Sequence, residues 1–151
     1  MLRKIVSGGQ TGADRAALDW AIGRGVPHGG WCPKGRRAED GPIPARYCLK
    51  ETESANYLVR TEGNVVDSDG TVIFTLKSEL SGGSKKTGDF ARKHGKPLLH
   101  LHPGIDNPGE VLAAFLKVNT IAVLNVAGPR LSGAPGIGEF AAGIFETSQI
   151  R

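Results

Sequence analysis

Residues 6–15 read Val-Ser-Gly-Gly-Gln-Thr-Gly-Ala-Asp-Arg, an apolar stretch that runs into paired glycines and then into a helical pattern. Gly8 and Gly9 allow positive φ and close backbone approach, and the helix after them begins with amide groups that have no partner inside it. The helix dipole adds about half a positive charge at that end, so the turn suits a phosphate or another oxyanion. Thr11 is placed either to cap the helix or to touch the ligand. The string is neither the dinucleotide fingerprint GxGxxG nor the P-loop ending in Lys-Ser/Thr. A second turn of the same make-up is Ser81-Gly82-Gly83-Ser84-Lys85-Lys86-Thr87, and a third is Asn125-Val126-Ala127-Gly128-Pro129-Arg130 with its glycines continuing to Gly136. Arg130 follows an apolar strand within a glycine loop and is suited to a forked contact with an oxyanion.

Other polar residues are less specific. Asp14 in the first helical turn is a natural dipole complement, and it would repel an anion in the turn unless it faced a ribose, a pterin or an amide donor. Arg15 is able to pair with that anion or with Asp14. Lys34, Arg36 and Arg37 form a basic run read first as a solvated face. Asp67 and Asp69 read as turn formers. His100 and His102 lie two apart on a strand near Asp106, a spacing that fixes no third ligand, so a hydrogen-bonded structural role is expected and no metal site. Cys32 and Cys48 show neither CxxC spacing nor an identifiable partner histidine. No Ser-His-Asp order and no carboxylate pair stands out.

These turns need elements to hold them. Residues 2–6, 71–76, 98–101 and 121–126 read as short strands, as do 26–31 after Gly23 and Gly25, and the apolar run at 71–76 reads as a buried central strand. Helical patterns are expected over 16–22, 54–66 with Ser54 as its cap, 88–94, 108–116 with Pro108 in its first turn, and 137–147. Residues 32–49, with Pro33, Pro42 and Pro44, read as a long surface loop. Alternating strands and helices predict an α/β fold, a Rossmann-like three-layer sandwich with a mostly parallel sheet of about five strands. In such sheets ligands bind beyond the carboxyl ends of the strands, and all the glycine turns lie at such ends.

The chain has 151 residues, enough for a single domain over 1–151 that buries about 70% of its unfolded surface without disulfides or metal. Its 19 basic and 15 acidic residues leave a net charge of +4, which suits an anionic small molecule but lacks the basic stripe of a nucleic-acid binder. Two cysteines, no signal-like segment and no long apolar run point to a cytoplasmic protein that does not meet a membrane. The 22 glycines are roughly double the average use of about 7% and cluster at the turns.

Four strings carry a resemblance: SGGQTGADRAALDWA at 7–21, YLVRTEGNVVDSDGTVIFT at 57–75, LSGGSKKTGDFARKHGKP at 80–97 and LNVAGPRLSGAPGIG at 124–138. Together they resemble the bacterial family named "putative molybdenum carrier", a circularly permuted branch of the Rossmann-like SLOG group and a relative of the LOG proteins. The resemblance implies a ligand-binding set of Gly8, Gly9, Gln10, Thr11, Asp14, Arg15, Arg60, Asn64, Gly82, Gly83, Ser84, Thr87, Asn125, Gly128, Pro129 and Arg130, with Thr61, Asp67 and Asp69 also at motif positions. Arg60 and Asn64 enter only in this way, since spacing alone leaves them beside the face of a helix. The implied ligand is molybdenum cofactor, a pterin bearing phosphate and molybdate, or a nucleotide-like molecule.

The function expected is therefore a carrier holding a phosphorylated small molecule. The alternative is a nucleotide-processing enzyme akin to the LOG phosphoribohydrolases. Those use a PGGxGTxxE string, and here Gly82-Gly83-Ser84-Lys85-Lys86-Thr87 has an extra residue, with Phe90 where the glutamate would fall; Glu139 after Gly136 and Gly138 is a faint echo. Self-association into a homo-oligomer is also expected, since the chain carries Trp and Phe on helices.

Overall fold

The computed structural model describes residues 1–150. Five strands make one parallel sheet: β1 (Lys4–Val6), β2 (His28–Gly29), β7 (Gly70–Phe74), β8 (Leu98–Leu101) and β9 (Val123–Ala127), in the spatial order β2-β1-β9-β7-β8. Two small ribbons lie outside it. One pairs β3 (Trp31–Cys32) with β6 (Lys50–Glu51), and the other is an antiparallel hairpin of β4 (Arg37–Ala38) and β5 (Gly41–Pro42). The helices are α1 (Ala13–Arg24), α2 (Tyr57–Val66), α3 (Gly82–Lys93), α4 (Pro108–Val118) and α5 (Ile137–Ser148).

Every residue of β7 is buried, as a strand covered on both faces requires. It is paired on both sides, but β9, which arrives last in the chain, takes the middle of the sheet. The expected strand over 26–31 divides at Gly30, whose φ of 125° turns the chain from β2 into β3 and so out of the main sheet. Gly30 also lies so close to the Ser7 backbone that a Cβ would come within 2.4 Å of the Ser7 carbonyl oxygen.

Helices α1, α4 and α5 pack together on one face, and α2 and α3 on the other. Leu18, Trp20 and Phe145 fill the first interface, where the Trp20 and Phe145 rings stack at 4.9 Å. Two helix starts differ from expectation. Asn56, rather than Ser54, caps α2 by accepting from the Leu58 amide at 3.0 Å. The run Gly82 to Thr87 is the opening of α3 itself and not a turn before it, because Ser81 is extended and the Lys85 amide already reaches the Ser81 carbonyl.

The long segment from Pro33 to Leu49 is ordered by a cation. The Arg36 guanidinium donates to the carbonyl oxygens of Ile43, Pro44, Tyr47 and Leu49 at 2.9–3.4 Å, drawing the segment around itself. Arg36 is thus neither solvated nor turned to a ligand, and it holds a left-handed φ of 52° to make these bonds. Charged donors to buried carbonyls contribute about 1.5–3 kcal/mol each at most, with neighbours sharing. Arg36→Ala is therefore expected to lower the unfolding free energy in urea by about 2–3 kcal/mol. Amide exchange should quicken over 36–49 and stay slow in β7 and β9; equal quickening in the sheet would refute the local role.

Candidate functional site

The carboxyl ends of β1, β9 and β7 open on a hollow between the helix layers. Its inner recess, about 70 Å³, is lined by Gly8, Asp14, Tyr57, Arg60, Thr61, Asn64, Gly83, Thr87, Asn125 and the chain from Val126 to Gly128. Asp14, Tyr57, Arg60, Gly83 and Gly128 continue into an outer cleft of about 600 Å³, within the range of small-molecule sites. Gln10, Gly82, Ser84, Pro129 and Arg130 from the expected set line that cleft, joined by Arg37, Glu39 and Ser81.

Gly128 is the point where the parts meet. A Cβ there would come within 2.6 Å of the Phe74 carbonyl oxygen and 2.7 Å of the Ala13 Cβ, so only glycine lets the ends of β9, β7 and the start of α1 close up. Asn125, on the middle strand, is 3% exposed and donates to the Thr71 hydroxyl at 3.1 Å across the sheet. Asn64 is fully engaged with the Trp31 backbone, accepting at 2.7 Å and donating at 3.0 Å, and so fastens β3 to α2.

The first glycine turn is filled from within. Asp14 is 6% exposed, and its Oδ2 accepts from the Gln10 amide at 3.2 Å while the Gly8 amide also serves its carboxylate. The amides assigned to an external anion thus hold an internal one. Arg60 stands before it, donating to the Gly8 carbonyl at 2.9 Å and to the Thr61 hydroxyl at 3.2 Å. Burial outweighs Arg60 and the amides and pushes the Asp14 carboxyl up to about 6.

Gly9, Thr11 and Arg15 face away from the hollow. Gly9, at φ 77°, backs onto Leu49 and Ile43. Arg15 donates to the Gly9 carbonyl at 3.0 Å and grips Asp40 with both nitrogens at 2.6 and 2.8 Å. The Thr11 hydroxyl caps no helix; it donates to Glu39 and accepts from the Leu131 amide at 3.0 Å. Glu39 also takes the Ser132 amide at 3.1 Å and the Ser132 hydroxyl. Those bonds hold its carboxyl below the usual range, the Ser132 hydroxyl contributing most. A clasp thus joins the β4–β5 hairpin to the loops after β1 and β9.

The second turn is different. In α3 the amides of Gly82, Gly83 and Ser84 precede the first intrahelical bond, from Lys85, and all three residues line the cleft. Ser84 is 6% exposed, and its hydroxyl has no partner among the described residues. Thr87 returns its hydroxyl to the Gly83 carbonyl at 3.0 Å.

The remaining candidates sit elsewhere. His100 and His102 have ring centres 5.0 Å apart, and His100 Nε2 meets the Thr75 hydroxyl at 2.5 Å. Burial, then His102, pushes the His100 imidazole down. Among the described residues no group of His, Cys, Asp and Glu is arranged to hold a metal. Cys32 is buried, Cys48 is exposed, and neither lines the hollow. Asp69 accepts the Ala122 and Val123 amides at 2.9 and 2.8 Å, tying the start of β9 to β7. Glu139 is exposed and outside the cleft. Tyr57, Arg37 and Glu39 line the cleft without having been marked as site residues, and for Tyr57 only its place at the amino end of α2 hints at the site.

Because Asp14 binds its proton more tightly in the folded chain than at its ordinary value of 3.8, its contribution to stability is fully present below about pH 3.8 and is lost as pH rises through about 6. The difference corresponds to about 3 kcal/mol. Urea unfolding of the native chain against Asp14→Asn is expected to show the native chain gaining roughly that amount, relative to the variant, between pH 7.5 and pH 4. A gap that stays constant with pH would contradict the buried carboxyl.

The fold accords with comparison to known proteins. The solved structure of a protein from Syntrophus aciditrophicus SB, named "Putative molybdenum carrier protein", is 44% identical; the match covers 99% of this chain and 96% of that one, with a TM-score of 0.95. No curated protein matches the chain. The family described as "Circularly permutated YpsA SLOG family" matches residues 5–148. A match over nearly the whole length, with the strand order and the glycine loops in place, settles the kinship: the chain belongs to the circularly permutated YpsA SLOG family.

Proposed function

We propose that this protein binds a phosphorylated small molecule in the cleft beyond β1, β9 and β7, and that it acts as a carrier, with molybdenum cofactor or a nucleotide-like compound as the cargo. The observation that carries the reading is the start of α3. Its Gly82, Gly83 and Ser84 amides, which precede the first intrahelical bond, and the Ser84 side chain line one cleft together with Arg60. An oxyanion seated there gains charge-assisted hydrogen bonds without displacing any protein group.

The inner recess suits the other end of such a molecule. Asp14 and Asn125 line it, and both carry acceptor oxygens of the kind that the N–H groups of a pterin or a nucleobase require. With no cysteine in the lining, a molybdenum centre would be held through the pterin and phosphate rather than through a protein thiolate. The likeness to the protein named as a molybdenum carrier supports the choice of cargo.

One observation favours a second reading. A buried carboxyl pushed up to about 6 and set in a hollow is suited to general acid–base work, so Asp14 is the candidate group of a nucleotide-processing enzyme. Incubation with nucleoside monophosphates and assay of free base separates the two: turnover lost in Asp14→Asn supports the enzyme, and binding without turnover supports the carrier.

For the carrier, calorimetry with molybdopterin and a panel of nucleoside monophosphates is expected to give saturable binding to at least one. Arg60→Ala should weaken it by about tenfold to a hundredfold, the worth of one charge-assisted contact to phosphate. Absence of saturable binding across the panel would end the proposal.

A further inference from the structure

Most arginine heads in this protein are tied down. Arg15 grips Asp40, Arg24 pairs with Glu146 at 2.6 Å, Arg46 donates to the Tyr47 hydroxyl at 2.6 Å, Arg92 meets Asp89 at 3.5 Å, and Arg36 is ringed by carbonyls. Arg37 and Arg130 have neither a hydrogen bond nor an ion pair for their side chains among the described residues, and both line the outer cleft. Arg3 is free as well, but it precedes β1 at the opposite, amino edge of the sheet.

The two free heads come from separate parts of the chain and are brought to one lip by the clasp. Arg37 lies two residues before Glu39, and Arg130 lies two residues before Ser132; the Glu39 carboxylate holds the Ser132 amide at 3.1 Å and its hydroxyl as well. From the Glu39 backbone, the amide donates to Gln10 Oε1 at 2.9 Å, and the next residue, Asp40, is locked to Arg15. The backbone under both arginines is therefore fixed, while their heads remain unspent. The Glu39 carboxylate keeps its charge near Arg130, but its oxygens are engaged by Thr11 and Ser132 and it forms no ion pair with either arginine among the described residues. Two guanidinium groups without a protein partner on one cleft each have a fork of donors to offer an anion.

Resting on the binding function proposed above, we infer that Arg37 and Arg130 form a second anion subsite, and that the molecule bound in the cleft carries two separate anionic groups. One group sits at Arg60 and the start of α3, the other at the lip, and the cleft of about 600 Å³ has room for a molecule that spans both. Arg37 is a ligand contact delivered by the hairpin, and Glu39 is the positioning residue that keeps the lip together.

The test is calorimetry at constant ionic strength with AMP, ADP and adenosine 3′,5′-bisphosphate, on the native chain and on the double variant Arg37→Ala/Arg130→Ala. Both side chains are exposed, so the variant should keep the native melting temperature. At least one compound with two anionic groups should bind the native chain about tenfold or more tightly than AMP, and that advantage should fall to less than about twofold in the variant. AMP binding with no gain from a second anionic group, or a gain that survives in the variant, overturns the subsite and leaves the binding reading intact. Failure of all three compounds to bind overturns the subsite, while molybdopterin binding in the same calorimeter then decides the fate of the broader reading.

Discussion

A crossover between parallel strands is right-handed, and in this chain that constraint decides where an open space must lie. The path β1–α1–β2 moves to one edge of the sheet and β7–α3–β8 to the other, so α1 and α3 fall on opposite faces. The path β8–α4–β9 returns toward the first edge and puts α4 on the same face as α1, each of them packed against α5. Departing in opposite directions, the segments after β1 and β7 leave a gap at their ends, into which β9 rises between them. Such a reversal is where open α/β sheets hold ligands. Asp14, Arg60, Gly83, Asn125 and Gly128 meet because each stands on one of those strand ends or on the helices beside them.

Within the gap, two helix starts with similar sequences carry opposite electrostatic roles. In α1 the second helical residue is Asp14, whose side chain folds back onto the Gln10 and Gly8 amides. In α3 the second helical residue is Gly83, which has nothing to fold back, and the amides there stay open to the cleft. A carboxylate is built into one nest, whereas the first turn of the other helix carries no acidic residue. The arrangement also explains Arg60. Beside a buried carboxylate its charge is partly spent, yet it reaches the Gly8 carbonyl and keeps the loop after β1 against α2.

Much of this was legible in the sequence. Apolar runs marked β1, β7, β8 and β9 of the main sheet, while β2 was only part of the expected 26–31 strand, and the alternation with helical patterns led to the layers found. The glycine strings marked the hollow, since Gly8, Gly83 and Gly128 do line it together. What escaped depended on contacts between distant residues. Nothing near Arg15 announces Asp40, and nothing near Thr11 announces Glu39, so a contiguous string looked like one binding surface while its residues in fact point to different sides. Gly82 and Gly83 looked like a turn because glycine is poor in helices. Packing against the sheet and α2 overrides that preference here.

The wall of the cleft formed by residues 33–49 was the least legible part, and its chemistry shows why. Pro33, Pro42 and Pro44 supply carbonyls but no N–H, so a chain folding there has more acceptors than amide donors. Half-buried carbonyls without donors are costly. The guanidinium of Arg36 makes up the deficit by serving four carbonyls from one side chain, and the left-handed φ of 52° that this requires costs on the order of 1 kcal/mol. A cation that reads locally as one more solvated charge is thus the centre of a folded unit. Because that unit carries Arg37 and Glu39 to the cleft, rigidity gained at Arg36 reaches the lip of the site, where little ordering of the loop is left for a ligand to impose.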